Sequence, residues 1–197
     1  MVRGIVISMF RETKFLLLCA AIGLFPSSAG LSICAAADAV TASPTLPSAE
    51  SLLDAKLTDL ADKPVSLRGL AGKVIVVVHQ DRHSSEQNPV LKDKLSALSA
   101  RFPNDLQIVA LADVGGYDFW PAKGYVRDAL KSLDSGGGAL VTCDWKGAVR
   151  KAYQLRQKQS VVFVLSKGLE LVSMTKGQLS ETETDRVAQR IEAELGK

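Results

Sequence analysis

Apolar and polar positions along the chain follow two rhythms. Residues 74–78, VIVVV, form an unbroken β-branched run, as a strand buried on both faces requires. After a polar stretch, Asn88 and Pro89 stand where a helix is capped and begun. Leu91, Leu95 and Leu98 then recur at helical spacing on one face. LQIVALA, 106–112, predicts a second long strand, and VGGYDFWPAKG a loop. YVRDALKSL, 125–133, reads as a short amphipathic helix with Val126, Ala129, Leu130 and Leu133 inward. SGGG at 135–138 breaks the pattern. ALVT, 139–142, predicts another strand, and DWKGAVRKAYQL a turn with a short helix. VVFVL, 161–165, and LELVS, 169–173, flank a turn at Lys167 and Gly168, so they should pair antiparallel. Ser180 and Glu183 form a capping box ahead of a last helix striped with Val187, Ala188, Ile191 and Leu195.

Before the first long strand, KLTDLADKPVSLRGLAGK carries short β-like pieces about a turn at Asp62-Lys63-Pro64. The whole order is a β-hairpin, then β, α, β, α, β, then a second hairpin and a helix. Alternating strands and helices need parallel crossovers, while the late pair is antiparallel. The fold class is therefore α/β, with a mixed sheet and helices on both faces.

The N-terminus has a different character. Arg3, Arg11 and Lys14 precede an apolar run, FLLLCAAIGLF, from Phe15 to Phe25. A basic region and an apolar run of this length mark a secretory signal, and the run is shorter than the roughly 20 residues of a spanning helix. Small residues offer cleavage after Ala29 or Ala37, so residues 1–37 are set aside from the fold. Residues 38–49, DAVTASPTLPSA, read as a flexible linker, and 50–197 as one domain. Ile33 before Cys34 and Leu18 before Cys19 fit a lipidation signal poorly. The mature protein is expected to be exported, with no membrane contact beyond the signal.

From Asp38 onward, 21 Lys and Arg stand against 20 Asp and Glu. Nothing in that balance favours nucleic acid. Cleavage at Ala37 leaves Cys143 alone; cleavage at Ala29 leaves Cys34 as a conceivable partner for it. One or two cysteines make no disulfide scaffold.

The entry pattern LTDLADKPVSLRGLAGKVIVVV and the closing VVFVLSKGLELV resemble those of thioredoxin-like proteins, peroxiredoxins among them. Within that superfamily the chain resembles the YtfJ family of periplasmic proteins. RHSSEQN, YVRDAL, CDWKGAVRKAYQL and GQLSETETDRVAQRI carry that likeness, over about residues 52–195. The resemblance implies a thioredoxin-like fold with an N-terminal hairpin extension. It also implies a substrate groove at the strand ends near 79–87 and 159–161.

Two departures bear on chemistry. Thioredoxins place a reactive cysteine at a helix N-terminus, where backbone N–H groups stabilise the thiolate. His83, Ser84, Ser85, Glu86 and Gln87 occupy that stretch here, with no cysteine. Ser160 stands where the family carries a cis-proline, and a cis bond before a non-proline residue costs several kcal/mol. An ordinary trans peptide is expected. His83, Ser84, Ser85, Glu86, Gln87 and Ser160 form a candidate binding groove.

Other residues open alternatives. His79 and His83 flank Asp81, with Glu86 beyond, as weak candidate metal ligands. Ser84 and Ser85 beside His83 suggest a nucleophile pair, but no GxSxG elbow accompanies them, and helix capping is the simpler role. Asp144 next to Cys143 should raise the thiol pKa. Tyr117, Phe119, Trp120 and Tyr125 crowd one loop, offering contact area at small entropic cost. Three readings result: a non-redox binding or scaffold module for a protein or peptide partner; a thiol antioxidant using Cys143; a metal-binding protein using His79 and His83. The first reading needs no cofactor.

Overall fold

The computed structural model describes residues 47–133 and 138–197; the signal, the linker up to 46 and most of the SGGG break lie outside the described residues. Seven strands form one sheet in the order β2-β1-β5-β4-β3-β6-β7. They are β1 Leu57–Thr58, β2 Pro64–Val65, β3 Val74–Gln80, β4 Leu106–Asp113, β5 Leu140–Asp144, β6 Val161–Leu165 and β7 Leu171–Lys176. The helices are α1 Glu50–Leu53, α2 Pro89–Arg101, α3 Ala122–Leu133, α4 Ala148–Ala152 and α5 Glu181–Leu195. A 3-10 turn covers Leu67–Leu70.

β3 is central because its sequence suits no other place. It pairs parallel with β4 on one side and antiparallel with β6 on the other. Side chains alternate between faces along a strand. Ile75 and Val77 enter one core with Val109, Leu111, Val161, Phe163 and Leu165. Val74, Val76 and Val78 enter the other with Ile108, Val162, Val164 and the leucines of α2. Each fully buried Val or Leu contributes about 1.5–3 kcal/mol relative to exposure. α2 and α5 lie together over the second core. α1 and α4 close the first, where Tyr153 meets Phe163 edge-on at 5.0 Å. α3 covers a third cluster of Val114, Cys143 and Trp145 through Val126 and Leu130.

The mixed sheet, both hairpins and the α2 stripe match the pattern in the sequence, and the Ser180–Glu183 capping box is formed in both directions. Three elements differ. α3 starts at Ala122, just after a cis Trp120–Pro121 bond, and Ala129 is exposed rather than inward. The side chain of Leu133 lies outside the described residues. β7 starts at Leu171, because Leu169 takes a left-handed conformation (φ 67°) and the turn runs on until Ser166 donates to the Glu170 carbonyl. Asn88 stands at the head of α2 but is left-handed (φ 58°) and caps nothing. Its side chain spans to the β7–α5 connection instead, donating to the Gly177 carbonyl at 2.9 Å and accepting from Leu179 N–H at 2.8 Å. No described helix is long and apolar enough to cross a membrane.

Candidate functional site

The parallel strands β3, β4 and β5 end on one edge of the sheet, and antiparallel β6 begins there. The loops 81–88, 114–121, 145–147 and 158–160 therefore share that edge. In open α/β sheets the carboxyl ends of parallel strands are where ligands bind.

The 81–88 loop is wound on Asp81. One carboxylate oxygen accepts from the backbone N–H of His83 and of Ser84, both at 2.9 Å, and from the Ser84 hydroxyl at 2.8 Å. The other accepts from Lys158 N–H at 2.6 Å. Burial pushes this carboxyl up, but the donors from Lys158, Ser84 and His83 outweigh it and hold its pKa below the ordinary aspartate value. Gln87 makes a second tie to the same facing loop. Its amide donates to the Lys158 carbonyl at 3.0 Å and accepts from Ser160 N–H at 3.0 Å. Gln80 donates to the Ser84 carbonyl and to the Ser160 hydroxyl, at 3.0 and 3.1 Å.

Of the candidate groove residues, Ser84, Gln87 and Ser160 thus come together, but as partners of one another. Ser84 and Ser160 are fully buried. The Ser84 hydroxyl donates to the Asp81 carboxylate and caps no described helix. The bond before Ser160 is trans; among the described residues the cis bond is Trp120–Pro121. His83, Ser85 and Glu86 are exposed. Lys92 reaches back from α2 to the Ser85 carbonyl; burial lowers its pKa, with Glu86 acting in the opposite direction.

His79 and His83 are not brought together. His79 continues the inward stripe of Ile75 and Val77 and is 2% exposed, while His83 sits in solvent on the loop. Among the described residues no group of three His, Cys, Asp or Glu side chains is placed to hold a metal ion.

His79 belongs instead to a buried charged cluster not singled out in the sequence. On β4 the inward stripe Val109, Leu111 ends at Asp113. On β5 the stripe Leu140, Thr142 ends at Asp144, which pairs in register with Asp113. His79 Nε2 lies 3.8 Å from Asp113 Oδ2. Asp113 receives Arg150 Nε from α4 at 2.7 Å and Gly115 N–H at 3.1 Å. Asp144 is fully buried and receives Val149 N–H at 2.9 Å through Oδ2. Both His79 nitrogens, Asp144 Oδ1 and Arg150 Nε are buried without a hydrogen-bond partner, so the Arg150–Asp113 contact is an ion pair rather than an aligned hydrogen bond. Gly115 and Gly147 lie so close to Asp113 that a side chain at Gly115 would meet its carboxylate at 3.1 Å. The signal was present: three consecutive parallel strands each carry a period-2 apolar stripe ending on a titratable residue.

Cys143 faces the opposite side of β5, fully buried under α3. Its thiol is pushed up to about 11, by burial first and then by Asp62. Asp144, adjacent in sequence, points to the other face and is not the cause. The aromatic loop divides. Trp120 is 91% exposed, and Tyr117, Phe119 and Tyr125 are also exposed. Trp145 is buried, donating its indole N–H to Thr58 Oγ1 at 3.0 Å, with the Lys123 ammonium 4.8 Å from its ring centre.

Comparison with known proteins places these features. The model of a bacterial family of unknown function, YtfJ_HI0045, matches residues 52–194. No curated protein matches. Among solved structures, the Xanthomonas campestris bacterioferritin comigratory protein, described for its alkyl peroxide reduction activity, is 16% identical at a TM-score of 0.56, covering 76% of this chain and 96% of its own. A putative thiol:disulfide interchange protein DsbE from Chlorobium tepidum is 17% identical at 0.54, covering 72% and 92%. The exposed lipoprotein thioredoxin Etrx1 of Streptococcus pneumoniae is 16% identical at 0.54, covering 70% and 97%. At these identities the likeness is one of fold, and the fold is thioredoxin-like.

Proposed function

This chain belongs to the YtfJ_HI0045 family of bacterial proteins, and we propose that it acts as an exported binding or scaffold module on a thioredoxin-like fold, without redox chemistry. One observation carries the reading. The strand-to-helix loop where this fold presents a reactive thiol is here a self-satisfied network of Asp81, Ser84, Gln87 and Ser160. The cysteine of the described residues, Cys143, is fully buried on the far side of β5, with its thiol pKa raised to about 11. A thiol so placed is protonated at neutral pH and shielded from a disulfide or peroxide. This disfavours the antioxidant reading through Cys143.

The surface that suits a partner lies on the same sheet edge. Tyr117, Phe119 and Trp120 expose aromatic area beside Lys146 and Asp118, which are paired at 2.6 Å. A protein or peptide with apolar side chains fits that chemistry. Export rests on the basic and apolar N-terminal pattern; sequencing the N-terminus of the protein recovered from the cell envelope tests it.

The functional test is an insulin-reduction and a peroxide-consumption assay on the purified mature protein. The expected result is no turnover above a Cys143→Ala control in either assay. Activity in the wild type that disappears in Cys143→Ala overturns the reading.

A further inference from the structure

We infer that His79, enclosed with Asp113, Asp144 and Arg150 between the sheet and α4, is an acid-sensitive latch: proton uptake by its imidazole releases the 144–155 segment from the sheet. The inference goes beyond the binding-module reading and stands or falls separately from it.

The argument is one of competing partners. His79 is 2% exposed, and neither ring nitrogen has a hydrogen-bond partner. In a neutral imidazole this leaves one donor and one acceptor unpaired, and no net charge. A protonated one is a buried cation with two donors, and such a group needs acceptors at hydrogen-bond length. Asp113 is the near acceptor, but 3.8 Å is too long for a hydrogen bond. Its Oδ2 is ion-paired with Arg150, whose Nε lies at 2.7 Å without hydrogen-bond alignment, and its Oδ1 accepts from Gly115 N–H. Asp144 has the vacant Oδ1, but that atom must move to find any donor, and its other oxygen holds Val149 N–H. Serving the imidazolium therefore draws Asp113 toward His79 and shares its Oδ2 between His79 and Arg150, or turns Asp144 away from Val149. Either movement weakens a tie on α4. The other restraints on the segment are the buried Val149 and Leu155, then Tyr153, which packs on Phe163 and donates its hydroxyl to the Ser48 carbonyl at 2.7 Å, and Trp145, which donates to Thr58 Oγ1 at 3.0 Å.

The charged groups facing His79 come from every neighbouring element: Asp113 on β4, Asp144 on β5, Arg150 on α4 and Asp81 on the loop after β3. Burial lowers the imidazole pKa; Asp113, Asp144 and Asp81 raise it, Arg150 lowers it, and burial prevails. The closed form thus binds the proton more weakly than an opened form with an ordinary imidazole value of about 6.5. The contribution of neutral His79 to closure is fully present above that pH and is lost progressively as pH falls from it toward the lower value of the closed form. One proton taken up per opening event gives an opening constant that rises up to tenfold per pH unit.

The chain carries two histidines, His79 and His83, so the imidazole resonances are few enough to follow. The experiment titrates the protein from pH 7.5 to 4.5, a window that spans the imidazole range. It records imidazole 15N shifts together with amide hydrogen exchange, corrected for intrinsic rates. His79 should take up its proton below the ordinary imidazole value of about 6.5. Protection across 144–155 should fall at least tenfold in the same range, and Trp145 emission should shift with it. His79→Gln should remove the pH dependence. The inference is overturned if His79 protonates while 144–155 keeps its protection. It is equally overturned if His79 stays neutral down to pH 4.5, or if the segment opens identically in His79→Gln.

Discussion

Ser160 donates its backbone N–H to Gln87 Oε1 at 3.0 Å, across 73 residues of sequence, while the same Gln87 amide donates to the Lys158 carbonyl. One side chain thus occupies a donor and an acceptor of the loop before β6. Gln87→Ala should leave the Ser160 N–H without a partner in a buried position. The expected loss is about 1–3 kcal/mol in urea unfolding. Gln87→Glu keeps the acceptor for Ser160 but turns a carboxylate oxygen onto the Lys158 carbonyl, so it should also destabilise. A Gln87→Ala variant that unfolds at the wild-type urea concentration would mean that the Ser160 contact contributes nothing.

Asp81 predicts a pH dependence with a definite sign. Its burial raises the carboxyl pKa, but hydrogen bonds from Lys158, Ser84 and His83 overcome this, so the folded value lies below the unfolded one. The stabilisation is fully present above about pH 4, the unfolded aspartate value, and is lost as pH falls through the folded value. The difference in urea midpoint between wild type and Asp81→Asn should be widest near pH 7 and shrink below pH 4. A difference that stays constant to pH 2.5 would remove the charge of Asp81 from the account.

Cys143 should be inert in the native protein. A thiol with a pKa of about 11 has roughly one thiolate in a thousand at pH 8. Its sulfur is also fully buried under α3. An aromatic disulfide reagent should leave it unmodified in buffer and label it promptly in guanidinium chloride. Labelling in buffer at the denatured rate would show that α3 opens freely.

The scaffold was legible where one side chain's neighbours are set by alternation. The β-branched run at 74–78 dictated a doubly buried strand, and Leu91, Leu95 and Leu98 dictated the face of α2. Legibility failed where a polar side chain chooses between partners close in sequence and partners far away. Asn88 looked like a cap and instead joins Gly177 to Leu179. Ser84 sat beside His83 but turned to Asp81. Asp144 sat beside Cys143 but lies on the other face of β5. His79 and His83, four residues apart, looked like a pair; the strand carries one inward and the loop leaves the other outside. In each case sequence distance was a poor guide because the strand ends on this edge gather residues 79, 113 and 144 on one buried face and leave 83 exposed on the loop. The start of β7 was missed for a local reason, the left-handed Leu169, which no β-propensity reveals.

The aromatic residues give a last test, because their exposure separates a binding role from a packing role. Trp120 is 91% exposed, while Phe163 is fully buried against Tyr153. A surface side chain away from caps and networks changes stability within about 0.5 kcal/mol. Loss of a buried Phe costs about 3–5 kcal/mol. Trp120→Ala should therefore unfold at nearly the wild-type urea concentration, while Phe163→Ala should lose a large part of the stability. Trp120 should also be quenched by acrylamide far more readily than Trp145. If Trp120→Ala destabilises the protein as Phe163→Ala does, the loop aromatics serve packing, and the partner surface proposed for Tyr117, Phe119 and Trp120 has to be sought elsewhere on the edge. If it does not, that exposed area has no folding role to explain it, which supports the partner surface proposed for this loop.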